Sequence, residues 1–182
     1  MGRRPSILIL GYTEAATTLK AANREGVGAV IAIHGFREFP VDAGAIKHVL
    51  SLEFDDCNAP VIDDPLAAAQ FRIRQRDAAE VGLRLQPPTL NHAVQIIEFA
   101  TQIANVGGTL LCHCLAGVGR SPAAALICLA TWTHPGEELD CMREVLAARP
   151  CAIPNESLVA FADSALGRDG RLISALRALR PG

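Results

Sequence analysis

Apolar residues recur along this chain in two distinct rhythms. Ser6–Leu10, Ala29–Ile33, His48–Phe54 and Thr109–Cys112 are short, nearly continuous apolar runs. Runs of that length suit strands buried on both faces of a sheet. Between and after them, apolar positions fall three or four residues apart. Ala15, Ala16, Leu19 and Ala22 mark a helix over Thr13–Arg24; Ala93, Ile96, Ile97, Ala100 and Ile103 mark another, with Thr89 as its N-cap. Helices are also expected over Ser121–Trp132, Glu137–Ala148, Pro154–Leu166 and Arg171–Leu179. Gly107-Gly108, Pro150, Gly167 and Gly170 punctuate them.

Strands alternate with helices first, and helices gather at the end. That order predicts an α/β fold, a mostly parallel central sheet flanked by helices with a helical C-terminal part. Residues 1–182 read as a single domain, with an insertion at about 57–87 that holds a helix over Pro65–Val81. In such a sheet ligands bind beyond the carboxyl ends of the strands. The loops after Phe54 and after Cys114 both lie there.

Composition narrows the function classes. Half of the 182 residues are hydrophobic, enough for a packed core, and the formal net charge of −2 argues against sequence-independent nucleic-acid binding. The six cysteines form no C-x-x-C pair and sit in a chain long enough to fold without staples. No apolar run is long enough for a membrane span. Arg3-Arg4, and Met1-Gly2 with Ser6, are short matches to export and myristoylation patterns and are read as coincidence. The expectation is a reduced, cytoplasmic, soluble protein that binds neither nucleic acid nor membrane; its oligomeric state is left open.

The chemistry concentrates in His113-Cys114-Leu115-Ala116-Gly117-Val118-Gly119-Arg120-Ser121, between a buried strand and an apolar helix. A loop with Gly117 and Gly119 can curl until its backbone N–H groups converge. The following helix, with Pro122 suited to its first turn, aims its positive end at the same point. Arg120 can fold back and clamp two oxygens with its planar fork. The product is an oxyanion cradle formed by Leu115, Ala116, Gly117, Val118, Gly119 and Arg120. Cys114 lies at its base, in the electropositive setting where thiols act as nucleophiles. No metal and no cofactor is called for.

This segment resembles the H-C-x-x-G-x-x-R-[ST] signature of cysteine-dependent protein tyrosine and dual-specificity phosphatases, at His113, Cys114, Gly117, Arg120 and Ser121. Arg149 to Asn155 is similar to the stretch that follows the signature in dual-specificity phosphatases. The whole chain is similar to small predicted bacterial tyrosine phosphatases. The resemblance implies the phosphatase fold and metal-independent hydrolysis of phosphomonoesters through a phosphocysteine on Cys114. It implies that Arg120 binds the phosphoryl group, that His113 orders the loop and that Ser121 assists departure of the thiolate. The apolar Leu115 stands where phosphoinositide-directed relatives carry a basic residue, which favours phosphotyrosine or mixed-specificity phosphoproteins, with a small phosphate ester also open. Phe36, Phe39 and Phe54 are candidates to flank a phenyl ring.

Compact relatives place their general-acid aspartate about thirty residues before the cysteine, and here that interval ends in Val81-Gly82-Leu83. Leu52–Asp56 instead resembles the strand whose end carries the family's general-acid aspartate, and that resemblance implies Asp56 as the acid, with Asp55 second and Asp63, Asp64 and Asp77 open. Cys57, beside that acid, is a candidate for a protective disulfide with Cys114. Arg72, Arg74 and Arg76 read as a solvated face, and His92 and His134 as surface residues; Cys112, Cys128, Cys141 and Cys151 read as packing. Two other functions stay open: a catalytically weak phosphate-binding module, and another C-x5-R enzyme such as an arsenate reductase or sulfurtransferase.

Overall fold

The computed structural model describes residues 4–20, 26–60 and 64–179. Asp63, residues 1–3 with their short targeting matches, and the end of the first expected helix lie outside the described residues. Four strands, β1 (Ser6–Leu10), β2 (Val27–His34), β3 (His48–Glu53) and β4 (Thr109–His113), form one sheet in the order β1-β4-β2-β3. All three pairings are parallel. Seven helices complete the described chain: α1 (Tyr12–Thr18), α2 (Pro65–Glu80), α3 (Leu90–Ile103), α4 (Arg120–Trp132), α5 (Glu138–Ala148), α6 (Glu156–Ala165) and α7 (Arg171–Ala178). None of them is long and apolar enough to cross a membrane.

The continuous apolar runs have a direct cause. Alternate residues of β2 face opposite layers: Ala29, Ile31 and Ile33 join the core under α3, α4 and α6, while Val30 and Ala32 pack with Ala15 and Leu19 on the α1 side. Strand β4 divides in the same way, Leu110 and Cys112 against Leu111. The central helix α4 is buried from Arg120 to Ala130, which explains a segment apolar on every side. Its alanines let the neighbouring helices and sheet approach closely.

The insertion holds α2 as expected, capped by Asp64, whose carboxylate accepts from the N–H groups of Leu66 and Ala67. Of its side chains only Phe71 is buried. Three expectations need correction. His92 is not a plain surface residue: its ring stacks on Phe54 at 4.8 Å, and its Nδ1 accepts from the Thr89 N–H. Phe54 is fully buried by that contact and by the core, so it cannot flank a substrate ring. Cys151 is exposed rather than packed.

Candidate active site

Every group singled out in the signature lies at the carboxyl edge of the sheet, in the turn from β4 into α4. The direction of the peptide units there can be read from their carbonyls. Leu115 O accepts from the Tyr12 N–H at 2.9 Å and Ala116 O from Arg149 Nη2 at 3.2 Å. Val118 O accepts from the Ile153 N–H at 2.8 Å and Gly119 O from the Asn155 N–H at 3.1 Å. All four carbonyls are therefore held outward by surrounding segments. In a trans peptide the next residue's N–H points the opposite way. The N–H groups of Ala116, Gly117, Gly119 and Arg120 thus turn to the inner side of the loop. The Gly117 N–H confirms this, donating to Cys114 Sγ at 3.2 Å.

Gly117 makes the curl possible. Its φ is +73°, and a Cβ there would stand 2.7 Å from the Gly11 nitrogen. The loop is thus pressed against the end of β1 with no room for a side chain. Cys114 Sγ is buried and also accepts from the Ser121 hydroxyl at 3.3 Å. Two donors consequently converge on the sulfur from the loop and from the first turn of α4.

Arg120 is 4% exposed. Its Nη1 donates to Glu38 Oε2 at 3.0 Å and to Phe54 O at 3.1 Å, and its Nη2 reaches Glu38 Oε1 at 3.4 Å. One edge of the guanidinium is thereby fixed, while Nε is buried without a hydrogen-bond partner. A buried donor in that state favours an anion beside it. Burial opposes ionisation of Glu38. Arg120 and the Gly35 N–H outweigh it and hold the carboxyl below its ordinary range. Glu38 was not singled out from the sequence; 82 positions separate it from Arg120 and no local motif surrounds it.

The two aspartates after β3 part company. Asp55 is a staple: its N–H donates to Gln86 O, and its Oδ2 accepts from the Gln86 N–H, both at 2.7 Å. Asp56 lies over the loop, so close that a Cβ on Gly119 would stand 2.2 Å from its Oδ2. Its Oδ1 accepts from Asn155 Nδ2 at 3.2 Å. Asp56 thus reaches the mouth of the cradle although 58 positions precede Cys114. Asp64 is spent as the α2 cap, and Asp77 is exposed beside Arg76 on the outer part of α2. Arg74 lines, with Asp56, Val118, Gly119 and Asn155, a cleft of about 430 Å³ next to the loop, whereas Arg72 and Arg76 are exposed outside it.

His113 is buried on the opposite side of β4 from Cys112, and burial, reinforced by nearby His34, pushes its pKa down to about 4 against the pull of the Cys114 backbone. It is a neutral ring under the loop. Cys57 is half-buried; burial first, then the Asp55 charge, pushes its pKa up to about 11. Among the described residues no group of three or more His, Cys, Asp or Glu is placed to hold a metal ion.

No family model matches the chain. Dual specificity protein phosphatase 22-B of Danio rerio is 33% identical over 110 residues, which are 60% of this chain and 54% of that protein. The chain thus spans about half the length of this curated relative. The crystal structure of Tk-PTP in the active form superposes with a TM-score of 0.56 at 16% identity, over 91% of this chain and 92% of that one. The human tyrosine phosphatase-like serine/threonine/tyrosine-interacting protein gives 0.57 at 18% identity, over 89% and 91%. These likenesses show a common fold. The chain is thus similar over 60% of its length to a dual specificity protein phosphatase, and its fold is the one those two solved structures share.

Proposed function

We propose that this protein is a metal-independent phosphatase that hydrolyses phosphomonoesters of phosphotyrosine-like or mixed-specificity phosphoproteins. The observation that carries the reading is the loop with four carbonyls drawn outward around a buried thiol, followed at once by Arg120, whose Nε is buried without a partner. Inward N–H groups and the guanidinium bind the three equatorial oxygens of the phosphoryl group. The Cys114 thiolate attacks phosphorus in line, the P–O bond breaks, and the leaving oxygen takes the proton of Asp56. The resulting phosphocysteine is attacked by water, which gives a proton back to the Asp56 carboxylate. The departing sulfur is received as thiolate by the Gly117 N–H and the Ser121 hydroxyl. Inorganic phosphate leaves and the enzyme is restored.

Asp56 is preferred to Asp55 as the acid because the Oδ2 of Asp55 is held by a backbone N–H, whereas that of Asp56 faces the loop. A protein substrate is supported by the aromatic side chains. The chain has six Phe, one Tyr and one Trp, and the exposed ones are Tyr12, which opens α1 and donates its N–H to Leu115 O of the cradle, and Phe36 and Phe39, which flank Arg37 and Glu38 after β2.

The fold is also carried by a protein named for interaction rather than hydrolysis, so the decisive test is turnover. Hydrolysis of p-nitrophenyl phosphate and of phosphotyrosyl peptides is expected in excess chelator. Cys114→Ser should abolish it and retain vanadate or phosphate binding; Arg120→Ala should lose both. Turnover by the Cys114→Ser variant would refute the reading. Binding without any Cys114-dependent hydrolysis would favour a phosphate-binding module, and a persulfide or arsenate-dependent thiol oxidation at Cys114 without ester hydrolysis would favour another C-x5-R enzyme.

A further inference from the structure

We infer that Asn155 is a positioning residue that holds Asp56 in register with the phosphate cradle, so that acid and nucleophile move as one unit. The inference rests on the proposed role of Asp56 and goes beyond it. Asn155 is 6% exposed and uses each of its polar atoms in a different direction. Its backbone N–H donates to Gly119 O at 3.1 Å, inside the cradle segment itself. Its Oδ1 accepts from the Leu158 N–H at 3.0 Å and caps α6. Its Nδ2 donates to Asp56 Oδ1 and to Cys57 O, both at 3.2 Å. One residue thereby ties three segments, its side chain holding the acid loop and the start of α6 and its backbone N–H the exit of the cradle.

The geometry has a chemical consequence. With Oδ1 of Asp56 occupied by an N–H donor, the acid's proton resides on Oδ2, the oxygen that lies over Gly119. The carboxamide therefore selects which oxygen donates, and where. A second pair of contacts supports the same join one turn away: the Ala59 N–H donates to Ser157 Oγ at 2.9 Å, and Asn58 Oδ1 accepts from the Ser157 N–H at 3.3 Å. Among the described residues Asp56 has no comparable hold from the α2 side. The other titratable groups around this loop are Asp55, Cys57, Arg74, Arg120 and Glu156; Glu156 is itself paired with Arg177.

The test uses steady-state kinetics of the full chain on phenyl phosphate, a poor leaving group, and p-nitrophenyl phosphate, a better one. Asn155→Ser keeps a short side-chain oxygen for the α6 cap and removes the donor to Asp56. It should lower kcat on phenyl phosphate by about ten- to a hundredfold, less on the activated ester, with inhibition by inorganic phosphate unchanged. Combined with Asp56→Asn, it should cost nothing further, because the tether has nothing left to position. Asn155→Asp keeps the cap and sets a second carboxylate against Asp56. The two then share a proton, and the basic limb of the kcat profile should move to higher pH. This variant also serves if the serine variant folds poorly.

Equal losses on both esters together with weaker phosphate inhibition would mark Asn155 as a mere support of the cradle and overturn the proposal. So would losses that multiply with Asp56→Asn. A slow Asp56→Asn enzyme beside a normal Asn155→Ser enzyme overturns the tether alone. An Asp56→Asn enzyme with wild-type kinetics overturns both the tether and the acid assignment.

Discussion

Replacing Gly119 by alanine tests the contribution of Asp56 by displacing its side chain while leaving its chemistry intact. The backbone of Gly119, at φ −108° and ψ −68°, is one an alanine can adopt, and its N–H remains in the cradle. The new Cβ would stand 2.2 Å from Asp56 Oδ2 and 2.5 Å from Oδ1. A carbon–oxygen contact normally opens to about 3.3 Å, so the carboxylate must retreat by roughly 1 Å. A short side chain can do this by rotating, which spares the loop. Displacements of that size cost about a hundredfold when they misplace a catalytic group, inside the 10²- to 10⁴-fold range for losing a general acid. The expected result is a kcat about a hundredfold lower on phenyl phosphate, equivalent to about 2.7 kcal/mol in the barrier. A much smaller loss is expected on p-nitrophenyl phosphate, whose leaving group needs less protonation. Inhibition by vanadate should be retained, and Asp56→Asn in the same background should add little. A Gly119→Ala enzyme with unchanged kcat on phenyl phosphate would refute the placement of Asp56. Equal losses on every ester with weakened vanadate inhibition would instead mean that the methyl group distorts the cradle.

Three further outcomes are expected. His113, neutral in the fold with a pKa of about 4 against an ordinary 6.5, takes up a proton on unfolding between those values. Stability should therefore fall as pH drops from about 6.5 to 4, by up to about 3 kcal/mol from this residue, and a His113→Asn variant should show a flatter urea-midpoint profile; parallel profiles would exclude the effect. Cys57, pushed up to about 11 mainly by burial and then by Asp55, is a neutral thiol at pH 7 and a poor nucleophile. Cys57→Ser should leave turnover and the rate of peroxide inactivation unchanged, contrary to a protective disulfide with Cys114; faster irreversible inactivation would restore that idea. Phe39, 78% exposed next to Glu38, should contribute to protein substrates only. Phe39→Ala is expected to raise KM severalfold for a phosphotyrosyl peptide and leave p-nitrophenyl phosphate unaffected; identical effects on both substrates would count against a peptide-binding rim.

Much of this architecture was legible in the chain because burial on both faces of a parallel sheet leaves unbroken apolar runs, as in Val30, Ile31 and Ala32. The cradle was legible because its glycines, its arginine and the next helix are contiguous. The role of the Arg149–Asn155 stretch was visible only as a resemblance. The structure supplies its cause: Arg149, Ile153 and Asn155 each hold one outward carbonyl of the cradle. Glu38 was illegible because an ion pair across 82 positions leaves no local trace. His92 was misjudged because a cap residue that also stacks on a core ring cannot be told from a surface histidine by spacing. The strand end offered both Asp55 and Asp56, and the preference for Asp56 as the proposed acid rests on Gln86 occupying the carboxylate of Asp55, a pairing across 31 positions with no local trace.

The Asp55–Gln86 pair has a consequence for how the chain can change. Two reciprocal 2.7 Å hydrogen bonds join residues 31 positions apart, and they close the α2 excursion at its neck. Helix α2 buries only Phe71 among its own side chains. Shortening the part between Ala59 and Gln86 to a tight turn would relieve roughly 2 kcal/mol of loop-closure entropy, at about 0.6 kcal/mol per halving. The excursion is thus an appendage on a pinned stem. Its length can drift while Asp56 keeps its place over Gly119, so with Asp56 as the proposed acid, counting residues back from the cysteine is a poor guide to that position.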